Sequence, residues 1–220
     1  MLVNPGFESG REPWHAIQNR NWGEFEVVEG IARTGSRSAR LPVEWPRGKP
    51  GQTAKVFGVI QEPVPDRFPD PSLFPEKLSG WYFVESWDKD QPATDLYVQV
   101  VVIIWGDPRT GRIVDPYNPP KSLTNYQIRY YLAGLENEPF LLKNAKLEFI
   151  EKGPPKVGEW VHFDIPLRAD FQRLWGVVPT GYEKIRVLFE ARWDNKPEGS
   201  GCSAVVYYDD LFLGWGEPEG

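Results

Sequence analysis

Sulfur, histidine, basic charge and helical periodicity are all in short supply in this chain. Its one cysteine, Cys202, excludes an intrachain disulfide and leaves the redox compartment open. Only His15 and His162 could serve as histidine bases. Lysine and arginine number 25 against 31 acidic residues, giving a net charge of −6. That balance excludes the basic footprint that nucleic acid requires, and it argues equally against an anionic membrane surface. No apolar run reaches the length of a membrane-spanning helix, so no membrane insertion is expected. The start, MLVNPG, has neither a basic nor an apolar leader region. The expectation is a cytosolic protein, or one in which Met1 replaces a removed leader or upstream domain. The metalloprotease HExxH, the nucleophile-elbow GxSxG, the P-loop and the dinucleotide glycine fingerprint are all missing.

Proline and glycine are plentiful, at 22 and 21 of 220 residues, and they cluster between apolar runs. Alternating, β-rich runs recur at 24–29, 38–43, 53–61, 79–87, 95–105, 126–132, 145–151, 159–167, 184–193 and 204–213. One helical turn is expected over 168–175, with Asp170 as a cap and Phe171, Leu174 and Trp175 on one face. Ten short strands separated by turn signals predict an all-β sandwich or barrel. No linker or internal repeat divides the chain, so residues 1–220 form one domain. Two Pro-rich loops, 63–77 and 106–122, exceed ordinary connections and are expected to be preordered.

The two ends hold the most specific motifs. Asn4-Pro5-Gly6 is a turn sequence in which proline fixes φ and glycine permits positive φ, with Phe7 entering the core and Glu8 beside it. In the last strand Asp209 and Asp210 must face opposite sides of the sheet. One of them therefore points into apolar surroundings, which is costly without partners. Carbonyl oxygens together with carboxylates are a hard-oxygen set suited to calcium.

LVNPGFESG, ARTGSRSARL, GVIQEPV with GWYFVESW, GEWVHFDIPL and VYYDDLFL follow one another in order along nearly the whole chain. In that order they resemble the galactose-binding-like β-jelly rolls, above all the carbohydrate-binding modules appended to secreted glycoside hydrolases. The resemblance implies two antiparallel sheets, a carbohydrate partner, an extracellular or cell-surface setting and attachment to a larger secreted enzyme or surface protein. It also implies a structural calcium held by Gly6, Glu8, Thr34, Arg37 and Asp209. The alternative is that Glu8 and Asp209 bond backbone amides or an arginine and hold no metal. Trp14 and Trp160 match positions that pack the core in such modules.

With ten tryptophans and nine tyrosines, an aromatic sugar site is a natural expectation. Strand parity gathers Glu85, Trp87, Tyr97, Gln99, Gln127, Arg129, Tyr131, Glu190 and Arg192 as a candidate glycan groove on a concave sheet face. The competing explanation is that the aromatics are core and the charges are cross-strand ion pairs. Trp14, Trp22 and Trp193 could instead line a site at a loop end. Glu85 and Glu190 could be the facing carboxylates of acid–base hydrolysis, a reading that rests on strand parity alone. His162 is explained as a strand residue, and Cys202 as a small packed residue at a strand start. The expected function is non-catalytic carbohydrate binding. A structural or adhesive surface protein is the alternative, and a jelly-roll lyase or hydrolase follows behind it.

Overall fold

The computed structural model describes residues 1–17, 21–47, 54–68, 70, 73–89, 95–106, 125–139 and 145–216. Its strands are β1 (Trp22–Gly23), β2 (Glu26–Glu29), β3 (Arg37–Trp45), β4 (Ala54–Gln61), β5 (Lys77–Lys89) and β6 (Asp95–Trp105). They continue with β7 (Asn125–Ala133), β8 (Ala145–Phe149), β9 (Trp160–Ile165), β10 (Lys184–Asp194) and β11 (Cys202–Gly214), and one helix, α1 (Leu167–Trp175), precedes β10. One sheet runs β1-β4-β10-β6-β7-β8 and the other β2-β3-β11-β5-β9. Number β3, β4, β5, β6, β7, β9, β10 and β11 as one to eight. The first, eighth, third and sixth then share one sheet, and the second, seventh, fourth and fifth share the other. That wrapped order is a jelly roll. Pairing is antiparallel except where the edge strands β1 and β8 run parallel to β4 and β7.

Alternation builds the core. In β6, Leu96, Val98, Val100, Val102 and Ile104 point between the sheets and are fully buried. They meet Ile185, Val187, Phe189 and Ala191 of β10, and Tyr82, Val84, Val206 and Tyr208 from the opposite sheet. Each such side chain contributes about 1.5–3 kcal/mol relative to exposure. Trp14 and Trp193 also belong to this core, so neither lines a loop-end site. Trp22 lies over Gly58, where an added Cβ would come 3.1 Å from its ring. Cys202 is buried at the first position of β11, as expected.

Two local expectations need correction. Asp170 does not cap α1: the cap residue is Pro166, and Asp170 accepts an ion pair from Arg173 at 2.7 Å. The helix closes on Gly176 in the left-handed region, while Phe171 is buried and Leu174 and Trp175 pack on the core. At the N-terminus the left-handed residues are Asn4 (φ 52°) and Phe7 (φ 59°), and Gly6 is not among them. Asn4 tolerates that region because its amide bonds locally, accepting from Ser9 N–H at 3.0 Å and donating to Gly10 O at 2.7 Å.

The first Pro-rich loop is anchored by aromatic rings. Its Phe74 lies 5.2 Å from Phe171 and 5.7 Å from Tyr182, and Phe68 lies 5.9 Å from Trp215. Residues 107–122, nearly all of the second loop, lie outside the described residues.

Candidate functional site

Seven of the nine residues proposed for the glycan groove do share one face, the outer side of the six-stranded sheet. Cross-strand register puts Glu190 opposite Gln99, Arg192 opposite Tyr97, and Gln99 opposite Tyr131. Arg129 sits opposite Val101, and Gln127 opposite Ile103. The face is not an open groove, however. Tyr97, Gln99, Gln127, Arg129, Tyr131 and Glu190 are all at most 5% exposed.

Their polar groups bond mainly to one another. Arg192 grips Asp194 through Nε and Nη2 at 2.8 and 3.0 Å, and Tyr97 Oη donates to the same carboxylate. Gln99 Nε2 donates to Glu190. Burial pushes the Glu190 carboxyl above its ordinary value, while Arg192 and Arg129 pull it back. Burial alone would lower the Arg192 guanidinium, but Tyr97 and Asp194 more than offset this and hold it charged. Among the described residues, Gln99 Oε1 and Tyr131 Oη find no hydrogen-bond partner. Leu135, Leu147 and Phe149 pack around Tyr97 and Tyr131 on this side. Ile17, Trp22 and Trp105 pack on Ile60, Val101, Ile103 and Leu188.

Glu85 and Trp87 fall elsewhere, because β5 belongs to the five-stranded sheet, and a β-bulge in β5 parts them from each other. Val206 pairs with Val84 but Val205 pairs with Ser86, so Glu85 is the extra residue. Trp81, Phe83 and Glu85 therefore face outward on the five-stranded sheet, whereas Trp87 turns inward and packs against the end of the core. Because β5 and β10 belong to different sheets, no carboxylate pair forms between Glu85 and Glu190. Trp160 is likewise half-buried on the outer face rather than in the core, with its ring 5.5 Å from Phe83.

Trp87 lines an open groove of about 770 Å³ at the end of the sandwich, together with Lys89, Asp95, the Gly134–Pro139 segment, Gly153, Pro154 and Asn195. Asn195 Nδ2 ties one wall by donating to Asp95 Oδ2 at 2.6 Å and to Pro139 O at 3.3 Å. Gly134, with φ 102°, presses on β6: a Cβ there would come 2.4 Å from Leu96 O and 3.0 Å from Trp87 Cζ2. Glu136, Asn137 and Glu138 are exposed along the rim. The sequence reading missed Asp95, Asn195 and this β7–β8 segment. The cue was present in the polar run GLENEP directly after a strand.

At the opposite kind of position, where the chain ends meet, the proposed calcium ligands make a different network. Glu8 Oε1 accepts Ser36 N–H and Arg37 N–H at 2.9 and 2.8 Å, and its other oxygen accepts the Ser36 hydroxyl. Asp209, fully buried, accepts Arg33 N–H at 2.7 Å and Asp210 N–H at 2.8 Å. Thr34 Oγ1 donates to Asp210, and the Arg37 side chain pairs with Glu29. A Cβ on Gly6 would touch Asp209 and Asp210 at 3.4 and 3.5 Å. These N–H and O–H donors satisfy Glu8 and Asp209 without an ion, and they use only part of the lone-pair capacity of the two carboxylates. Hydrogen bonds join the two ends directly, including Leu211 N–H to Pro5 O at 3.1 Å.

Burial pushes the Asp209 carboxyl up to about 7 from its ordinary 3.8, against the pull of its N–H bonds. The folded chain holds this proton more tightly than the unfolded one. Its contribution therefore favours folding below about 4 and diminishes as pH rises to about 7. Asp209→Ala, which orphans the Arg33 N–H, is expected to cost about 1–3 kcal/mol at pH 4 and less at pH 8. Thermal melts should show the same loss with calcium or with chelator; a chelator-sensitive wild type whose sensitivity Asp209→Ala removes would restore the metal.

No protein-family model and no curated protein matches the chain. Similar solved structures include a family 61 carbohydrate-binding module in complex with β-1,4-galactotriose, at 13% identity over 96% of this chain and 95% of that one, with a TM-score of 0.45. A family 28 carbohydrate-binding module specific for non-crystalline cellulose is 14% identical over 98% of this chain and 96% of that one, with a TM-score of 0.44. The enzymatically active domain of the bacteriophage CBA120 tailspike protein 4 is 11% identical over 97% of this chain but only 21% of that one, with a TM-score of 0.45.

Proposed function

We propose that this jelly roll is a non-catalytic carbohydrate-binding module of a secreted or surface-displayed protein, and that it binds a glycan in the Trp87 groove. The observation that carries this reading is the groove itself. Its volume of about 770 Å³ is that of a small-ligand site, and a half-buried indole stands there among carboxylate, amide and ammonium groups. A sugar offers an apolar C–H face to Trp87 and hydroxyls to Asp95, Asn195, Glu138 and Lys89. Glu85 and Glu190, on different sheets, are not available as a hydrolytic pair, and the His162 ring stacks on Trp81 at 4.8 Å.

The groove's charge adds a specificity. Asp95, Glu136 and Glu138 outnumber Lys89, so an anionic sugar meets like charge. Affinity electrophoresis at low salt should show retardation by at least one of hydroxyethyl cellulose, β-1,4-galactan, xylan and glucomannan, and none by polygalacturonate. Retardation by polygalacturonate, or by none of the neutral polymers, would overturn the reading.

A further inference from the structure

The outer face of the five-stranded sheet carries a second set of aromatic side chains that the groove does not use. β5 and β9 set Trp81 opposite His162 and Phe83 opposite Trp160. Both pairs pack ring on ring, with centroids 4.8 and 5.5 Å apart. Together they form a block of four rings in which His162 is exposed and the other three are half-buried. At one end Phe83 meets the edge of Tyr207 at 5.9 Å, and Tyr207 Oη donates to the exposed Glu85 at 2.9 Å. Arg40 pairs there with Glu26 at 2.7 Å. At the other end the Arg33 guanidinium stacks 4.3 Å from the Trp81 ring.

We propose that this four-ring block is a second carbohydrate site, holding a short stretch of a neutral polysaccharide chain independently of the Trp87 groove. Size decides between a sugar and a protein. Partly covered by one another, the four rings leave on the order of 200–300 Å² open, since a whole aromatic side chain buries about 150–250 Å². A stable protein partner needs about 800 Å² on each side. The borders decide in the same direction. Glu85, Arg33 and His162 flank the rings, and an apolar protein surface would strip water from them without replacing its hydrogen bonds. Pyranose hydroxyls replace those bonds while the ring C–H face lies on the indoles. The bulge at Glu85 explains how one strand serves two sites, sending Phe83 to the outer face and Trp87 to the groove. Two sites on one module raise retention on a multivalent polysaccharide without strengthening either contact.

The test is affinity electrophoresis of the full chain in gels of the four neutral polysaccharides named above, with near-ultraviolet circular dichroism and melting curves as folding controls. Wild type is compared with Trp87→Ala, with Trp81→Ala/Trp160→Ala, and with the triple variant. Expected are weakening of at least fivefold in the double variant, residual retardation in Trp87→Ala and none in the triple variant. His162→Ala and Glu85→Gln change exposed groups and should weaken binding about threefold at an unchanged melting temperature. The proposal is overturned if these variants and the double variant migrate as wild type, or if Trp87→Ala alone removes all retardation, which leaves the groove reading standing. Loss in the double variant alone supports this site and overturns the groove. A wild type that no polysaccharide retards, or that dimerises through these rings instead, overturns the proposal.

Discussion

Arg192→Ala is expected to lower the stability of the fold by about 3–5 kcal/mol, because it leaves Asp194 as a buried charge without its main partner. Asp194 is 5% exposed and receives two guanidinium bonds at 2.8 and 3.0 Å along with the Tyr97 hydroxyl. Glu190 lies on the same face, so removing Arg192 also removes one of the two cations, with Arg129, that pull its carboxyl back down. For a chain of this size the loss corresponds to a melting temperature lower by about 10 °C. Asp194→Asn in the same background takes away the stranded charge, and the double variant is expected to recover most of the loss. Urea unfolding of the four proteins in the cycle measures this. A cost below about 1 kcal/mol for Arg192→Ala would show that the pair is solvated, not buried, and would return this face to candidacy as an open groove.

That experiment also bears on what could be read in the chain. Period-two alternation in DLYVQVVVIIW and KIRVLFEARW sorted core from outer face correctly, and it brought Tyr97, Gln99, Glu190 and Arg192 to one side. Parity says which face a side chain takes and nothing about what lies over that face. The same alternation is therefore compatible with an exposed groove or a covered polar layer. Here most of the polar groups bond to one another beside Leu135, Leu147, Phe149 and Trp22, and a side chain on this face serves the fold rather than an open groove.

Parity also fails wherever a strand gains a residue. Nothing in GWYFVESWDK marks Glu85 as a bulge, since no glycine stands there, and the single extra residue moved Trp87 to the opposite side of the sheet. The chain ends were legible in a different sense. A carboxylate in the apolar last strand needed partners close to the N-terminal turn, and Asp209 does lie against Gly6. The identity of those partners turned on side-chain direction. Glu8 reaches the amides of Ser36 and Arg37, a contact that residue types alone do not distinguish from a shared cation.

Trp87→Ala is expected to raise the dissociation constant for an oligosaccharide in the groove about thirtyfold, the equivalent of about 2 kcal/mol, the usual scale for a tryptophan at the centre of an interface. Among the described lining residues the indole is the largest apolar side chain, the rest being mostly charged, amide or small. Hydroxyl bonding by Asp95 and Asn195 exchanges with water at little net gain, so the stacking surface carries the affinity. Trp87 also covers the end of the core, and its truncation is expected to cost about 1–3 kcal/mol of stability. Trp87→Phe separates the two effects by keeping a ring and most of the packing, and it should retain part of the affinity. Calorimetric titration of the three proteins with a neutral oligosaccharide, alongside their melting curves, gives both quantities. Equal affinity in Trp87→Ala and wild type would move the binding surface away from this groove and onto the outer rings of Trp81, Phe83 and Trp160.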